Sequence, residues 1–528
     1  MSLPPPGKTV WPPEKWQPAY DQYATNATWW AGDPEQLSSL YDGGQGWVRG
    51  DTRYRVSQFR GGVVGRMARW FWGQPAPDGE LRAKLHLPLA SDITGMSANM
   101  LFAEPPKLTV GNAQTQDRLD VLTDLTGLHS TLLEGADVAG ALGDVYPCVT
   151  WDTSIRDEPW IRVVHGDAVV PEFRAGMLAA ATIWTVVKDD HGKIWRHLER
   201  HEKGVVLHGL YVGGVSTLGD LVDLREHEDT EQFPEQVVTG VDRLLIQHVP
   251  NLRPNRLDRG SPLGRSLFSP AVLGLMDQLD EVWSSLAREY RLAKARAVIT
   301  EDAVKSQGPG QGAVFDDREL LMPLRINPNQ QGTKPVELIQ PLIRVEEHLA
   351  GCRALTEEII RSCGFSINSF GRGQTDQAAA TATEIQQRSA QSYLTRGMQT
   401  LHWGSALRAS VHTLLEVDAA AFGSKVTPER PEIVFGDTVA ESDAQTAQTL
   451  ATLAQAEAAS IKTRVKRLNP EWADEAVAEE VEAIMREQGR SVPDPVALVH
   501  DDTSPMDAPT DVPADGPEAN ALPAARRR

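Results

Sequence analysis

One stretch limits the possible folds more than any other. Between Ser261 and Gly364 the chain reads as a long amphipathic helix, a compact β-rich insertion and a second amphipathic helix that returns. The first helix lies in SPAVLGLMDQLDEVWSSLAREYRLAKAR, with Ser269 placed to accept from free backbone amides and Pro270 at N1, where no amide is needed. Val272, Leu275, Met276, Leu279, Trp283, Leu286 and Tyr290 recur at three- and four-residue steps, whereas Asp277, Asp280, Glu281, Ser284, Arg288 and Glu289 fill the other side. The pattern predicts one buried face and one wet face. The returning helix, LIRVEEHLAGCRALTEEIIRSCG, repeats the design with Leu342, Val345, Leu349, Cys352, Leu355 and Ile359 and stops at Gly364, which suits the left-handed C′ position. At the usual helical rise the two span roughly 40 and 33 Å. Between them AVITEDAV, GAVFDD, ELLMPLRI and KPVELIQP are short strand-like runs broken by GPGQG, NPNQQG and prolines, which predicts a small sheet at the far end. An ordinary helical hairpin within an α+β core satisfies the same pattern.

The chain has 528 residues, enough for more than one core, and a formal charge of −20 from 72 acidic and 52 basic residues. A stable grip on nucleic acid through phosphates calls for a basic field, so that function is disfavoured, although passage of DNA past an acidic wall is compatible with the charge. The three cysteines, Cys148, Cys352 and Cys363, have no paired spacing, which argues against a disulfide framework or a cysteine-rich zinc site. MSLPPPGKTVWPPEKW lacks the apolar core of a signal peptide, and no run of eighteen apolar residues occurs. A soluble, non-secreted protein is expected.

Residues 1–18 hold six prolines and read as an extended arm whose Trp11 and Trp16, with Trp29 and Trp30 beyond, should dock on the body or on a neighbouring subunit. From Arg49 to Trp72 the chain is locally basic and aromatic, a pattern that fits nucleic-acid contact or packing against an acidic neighbour. A helix starting near Ser91, buried through Ile93, Met96 and Met100, precedes a strand, and helices over 115–126 and 128–141 flank Gly127. DVYPCVTWD, WIRVVHG, AVVPEF and a meander turning at Gly192 and Gly204 then give an α+β body to about residue 260. After Gly364, FSINSFGRGQTDQAAATATEI is poor in large apolar groups and predicts a mobile loop entering a helix that reaches about residue 418, with kinks at Gly397 and Gly404. PEIVFGD reads as a strand returning to the body, Ser442 to about Leu468 as one helix, and Asn469 and Pro470 as cap and N1 of another ending at Gly489. Residues 491–528, with seven prolines and seven acidic residues, are expected to be disordered.

Little in the chain points to catalysis. PGKT at Pro6–Thr9 lacks the preceding strand of a phosphate-binding loop, Gly371 and Gly373 lack the rest of a dinucleotide fingerprint, and no GxSxG occurs. The best metal candidate is HLERHE, with His197, Glu199, His201 and Glu202; in a hairpin strand, 197, 199 and 201 share a face opposite Leu198, which reads as a polar solvent face. No catalytic residue, metal or cofactor is assigned.

Three phrases in this order resemble tailed-bacteriophage portal proteins: KLHLPLASDITGMSANMLFAEPP, HVPNLRPNRLDRGSPLGRSLFSPAVLGLMDQLDEVWSSLAREYRLAKAR and SINSFGRGQTDQAAATATEIQQRSAQSYLTR. The likeness covers most of residues 50–490. It implies an α+β, portal-like fold in which 1–48 is an arm, 49–260 the wing, 261–296 the descending stem helix and 297–341 the clip. Residues 342–364 would be the returning stem helix, 365–376 the tunnel loop, 377–439 the wing helix and return strand, 440–490 the helical crown and 491–528 the tail. It further implies a homo-oligomer of twelve subunits at the capsid portal vertex of the virion, assembled in the host cytoplasm. Double-stranded DNA would pass through it, and terminase motor, head–tail adaptor, major capsid and scaffolding proteins would be its partners, with no membrane and no enzymatic activity. On this plan Asp277, Asp280, Glu281, Ser284 and Arg288 face the channel, while Leu275, Met276, Leu279, Trp283 and Leu286 pack. Ser369, Arg372, Gln374 and Thr375 form the DNA-facing loop, and Asp316, Asp317, Arg318 and Glu319 meet terminase or adaptor. The rival readings are a metal-dependent enzyme using His197 and His201, and another capsid or connector component.

Overall fold

The computed structural model describes residues 2–34, 36–37, 85–293, 296–300, 321–324, 336–339, 343–370, 382–436, 450–456, 458–469, 472 and 474–487. Met1–Val439 and Ala440–Arg528 form separate units.

The arm is built into the first unit. Its strand β1 (Gly7–Val10) pairs antiparallel with a later strand, and helix α1 (Gln17–Ala31) follows. Trp11, Trp16, Tyr23 and Trp29 are buried, so the aromatic residues dock on the chain's own body. The basic and aromatic stretch 49–72 lies outside the described residues. Helix α2 (Leu89–Phe102) buries Ile93 and Met100 and ends before the paired prolines; strand β2 (Lys107–Thr109) comes next. Asn112 caps α3 (Ala113–Leu125) by accepting from the Thr115 amide, and Gly127, in the left-handed region, opens α4 (Leu128–Leu142).

Strands β3 (Asp144–Thr150), β4 (Trp160–His165) and β11 (Val249–Pro250) form a three-stranded sheet in the order β11-β3-β4. A seven-stranded antiparallel sheet runs β1-β9-β8-β7-β6-β5, from β5 (Val169–Arg174), β6 (Met177–Asp190), β7 (Lys193–Glu202), β8 (Val205–Gly213) and β9 (Thr217–Val222). Strand β10 (Gln236–Val238) pairs with β8 at Val205–Leu207, and β9 pairs with it further along, at Leu210–Val212. Between β6 and β7, His191 and Gly192 both take positive φ, as a two-residue hairpin loop requires.

Helix α5 (Pro270–Leu292) follows. The β-rich insertion yields β12 (Arg296–Thr300), β13 (Leu321–Leu324) and β14 (Val336–Ile339) in the order β13-β12-β14, with β12 parallel to β13 and antiparallel to β14. GAVFDD lies outside the described residues. Helix α6 (Val345–Ser362) returns, and α7 (Ala382–Phe422) is a 41-residue helix, roughly 60 Å long, that runs on through Gly397 and Gly404. Strand β15 (Glu432–Val434) pairs with β2, so the chain does return to the body. The first unit is therefore a mixed α+β fold. In the second unit the helix expected from Ser442 to Leu468 is interrupted: residues 450–455 are helical, and Ser460 then accepts from the Thr463 amide and starts a new helix, α8 (Ile461–Leu468). The helix expected after Pro470 is α9 (Asp474–Glu487). The tail from 491 lies outside the described residues.

Candidate functional site

The helix pair that organises the sequence is embedded in the first unit. Ser269 Oγ accepts from the Val272 amide at 3.3 Å, and Pro270 occupies N1. Val272, Leu273, Met276 and Leu279 join one core with Cys352, Ile359, Ile360 and Cys363 of the α6 turn, with Ile93 and Met100 of α2, and with Leu267 and Phe268. Leu275 and Trp283 pack on its margin, Leu286 is buried, and Tyr290, expected on the apolar face, is 50% exposed. Over the first half of α5 the apolar stripe is thus covered by the chain's own α2 and α6.

Two expected channel residues are elsewhere. Asp280 is 1% exposed; its carboxylate accepts from the Leu87 amide at 3.0 Å and lies 2.6 Å from His86 Nδ1. Ser284 Oγ is buried and accepts from the Leu85 amide at 3.2 Å. Both side chains hold residues 85–87, which lead into α2, so neither faces a channel. Glu281 and Arg288 are exposed, and Asp277 is half-buried.

Beside the β-rich insertion, Glu289 pairs with Arg344 Nη2 at 2.7 Å and lies 3.1 Å from His348 Nε2, while also accepting from the Arg344 amide. These hydrogen bonds hold the Glu289 carboxyl down to about 2. They join the end of α5 to the start of α6, across the β-rich insertion. Asp316, Asp317, Arg318 and Glu319 lie outside the described residues.

At the other end of α6, Gly364 has φ +92° and its amide donates to Arg361 O, while Phe365 N–H donates to Ile360 O. This is the paired hydrogen bonding of a Schellman stop, and Phe365 and Ile360 share a core as that motif favours. The segment that follows is anchored rather than loose as far as Phe370. Phe365 is buried, Ile367 and Phe370 pack beside it, the Ser366 amide donates to Ser392 Oγ, and Ser369 Oγ lies 2.8 Å from the same hydroxyl. Its three apolar residues in six were outweighed in the sequence by the polar run after them. Arg372, Gln374 and Thr375 lie outside the described residues.

The histidine-rich strand divides. His197 stacks on His208 and Phe233 at 5.3 and 5.0 Å, with Nε2 3.2 Å from His208 Nδ1. His201 is buried, where a solvent face was expected, with Nε2 2.7 Å from Glu199 Oε1 and 3.8 Å from Cys148 Sγ on β3. Arg162 Nη2 on β4 donates to both Glu199 oxygens, at 2.7 Å each. Burial disfavours an imidazolium at all three histidines, and it wins at His197 and at His208, whose value falls to about 4. At His201 burial is outweighed by Cys148 and Glu199, which push the value up to about 10. His197 and His201 therefore do not converge on one ion. Cys148 and Arg162 escaped the sequence reading because strand pairing joins them to each other and only the meeting of two separate sheets brings them to Glu199.

Residues 269–494 match the family model described as "Phage portal protein, SPP1 Gp6-like". No curated protein matches the chain. A solved structure described as "Neck of native GTA particle computed with C12 symmetry" aligns over 77% of this chain and 99% of its own at 14% identity, with a TM-score of 0.37. The matched segment runs from the first turn of α5 to beyond α9.

Proposed function

We propose that this chain, a phage portal protein by its match over residues 269–494, forms a ring-shaped channel at one capsid vertex through which double-stranded DNA is packaged and ejected. The match carries the reading, because it spans the helix pair, the β-rich insertion and the long helix that the sequence singled out. The exposed face of α5 around Glu281 and Arg288 is the surface offered to the channel, and the insertion at 297–341 the part that meets terminase and tail adaptor. An overall charge of −20 supports sliding rather than gripping, since an acidic wall offers phosphates few sites for counterion release. Major capsid and scaffolding proteins surround such a ring during assembly.

Ring formation is tested by native mass measurement and negative-stain imaging of the purified chain. Twelve chains of 57.8 kDa amount to 12 × 57.8, about 694 kDa, with a hole in top view. A compact monomer at all concentrations, or closed shells, would overturn the proposal. Replacing Arg372 by Ala should leave the ring intact and alter packaging or DNA retention; unchanged packaging removes that residue from the account. The enzyme reading through His197 and His201 loses its basis, since the two imidazoles belong to different clusters.

A further inference from the structure

The buried cluster between the two main sheets brings three side chains able to bind a metal to one point. Cys148 projects from β3 of the three-stranded sheet, and Glu199 and His201 from β7 of the seven-stranded one. One ligand atom from each lies within 4.8 Å of the other two. A thiol, an imidazole and a carboxylate meeting at one point are the donor set a borderline cation such as zinc accepts. Cys148 is fully buried and His201 is 1% exposed. The imidazole turns Nε2 to the point where carboxylate and sulfur converge, 2.7 Å from Glu199 Oε1 and 3.8 Å from Cys148 Sγ.

We propose that Cys148, Glu199 and His201 form a zinc-type metal site that fastens β3 to β7. The ion takes a lone pair from the Cys148 sulfur, from His201 Nε2 and from a Glu199 oxygen. The thiol proton and any proton on Nε2 leave to solvent, and water completes the coordination. Water reaches the cluster from the side of Arg162, whose side chain is 38% exposed and Glu199's 16%. Arg162 remains outside the ligand set, donating to Glu199 and orienting it, as groups behind a metal ligand commonly do. His197 is excluded by its stacking on Phe233 and His208. The ion would act on structure, tying strands far apart in sequence, and the site goes beyond the proposed channel role.

The test uses full-length protein stripped with chelator and titrated with Co²⁺, then Zn²⁺. One equivalent of cobalt should bind with a thiolate-to-metal charge-transfer absorption, zinc should displace it, and affinity should fall as pH is lowered because the ion competes with protons. Cys148→Ser and His201→Ala should each abolish the band, and His197→Ala should retain it. Absence of the band in the unaltered protein overturns the proposal whatever the variants do, and so does an undiminished band in Cys148→Ser, which would place the sulfur at Cys352 or Cys363.

Discussion

Asp280 shows how a charged letter can belong to a core. Leu273, Met276, Asp280 and Ser284 follow one another at steps of three and four, so the two polar residues continue an apolar row and go under with it. The residue types suggested water, the period suggested burial, and the period was the better guide. What no pattern could supply was the partner: His86 and the Leu85 and Leu87 amides come from nearly 200 residues upstream. Asp280→Ala should therefore cost about 3 kcal/mol, since it strands buried donors, whereas Glu281→Ala next to it should change stability by less than about 0.5 kcal/mol. Equal effects in urea unfolding would return Asp280 to the wet face. His201 gives a test in pH. Its folded value, raised to about 10, lies above the ordinary 6.5, so its contribution is whole below pH 6.5 and is lost as pH rises toward 10. Thermal unfolding in chelator should show unaltered protein and His201→Gln well separated at pH 6 and drawn together near pH 10.

At the scale of elements the sequence was most legible where the signal is local. The Ser269–Pro270 start, the helices on either side of Gly127, the β6–β7 hairpin and the stop at Gly364 all follow from caps and turns within a few residues. The long-range choices were hidden, among them β1 closing the edge of the large sheet and β2 being the partner of the returning strand β15. The single helix expected over 442–468 failed because alanine-rich periodicity masked the cap at Ser460. Gly364 links three elements, since the turn it permits sends the chain from α6 down onto Ser392 and Thr395 of α7. A Cβ there would meet Thr395 Oγ1 at 2.8 Å, and φ is +92°. Gly364→Ala should thus destabilise by about 1–3 kcal/mol, and calorimetry of Gly364→Ala alone and with Thr395→Ala separates the two causes. Relief by the second change would assign the cost to the contact, and no relief would assign it to the backbone.

For the molecule as a whole, the surface left uncovered matters more than the core. Helix α7 presents Leu394, Met398 and Leu401 at 70, 43 and 74% exposure, at spacings of four and three, so they form one apolar row along a helix whose other face is deeply buried. Single exposed leucines are ordinary, but an aligned row on a long helix is the pattern of a face that a partner covers. In the proposed ring that partner is the next copy. Covering one leucine contributes about 1.5–3 kcal/mol, so Leu394→Glu with Leu401→Glu should weaken each interface by roughly 3 kcal/mol or more, and around a closed ring that loss repeats at every junction. Sedimentation should then find the double variant as folded monomers, with unchanged circular dichroism, at concentrations where the unaltered chain is assembled. Rings that persist undiminished in the double variant would place the subunit contact on another face. The α5 surface at Glu281 and Arg288 would then be the next to test.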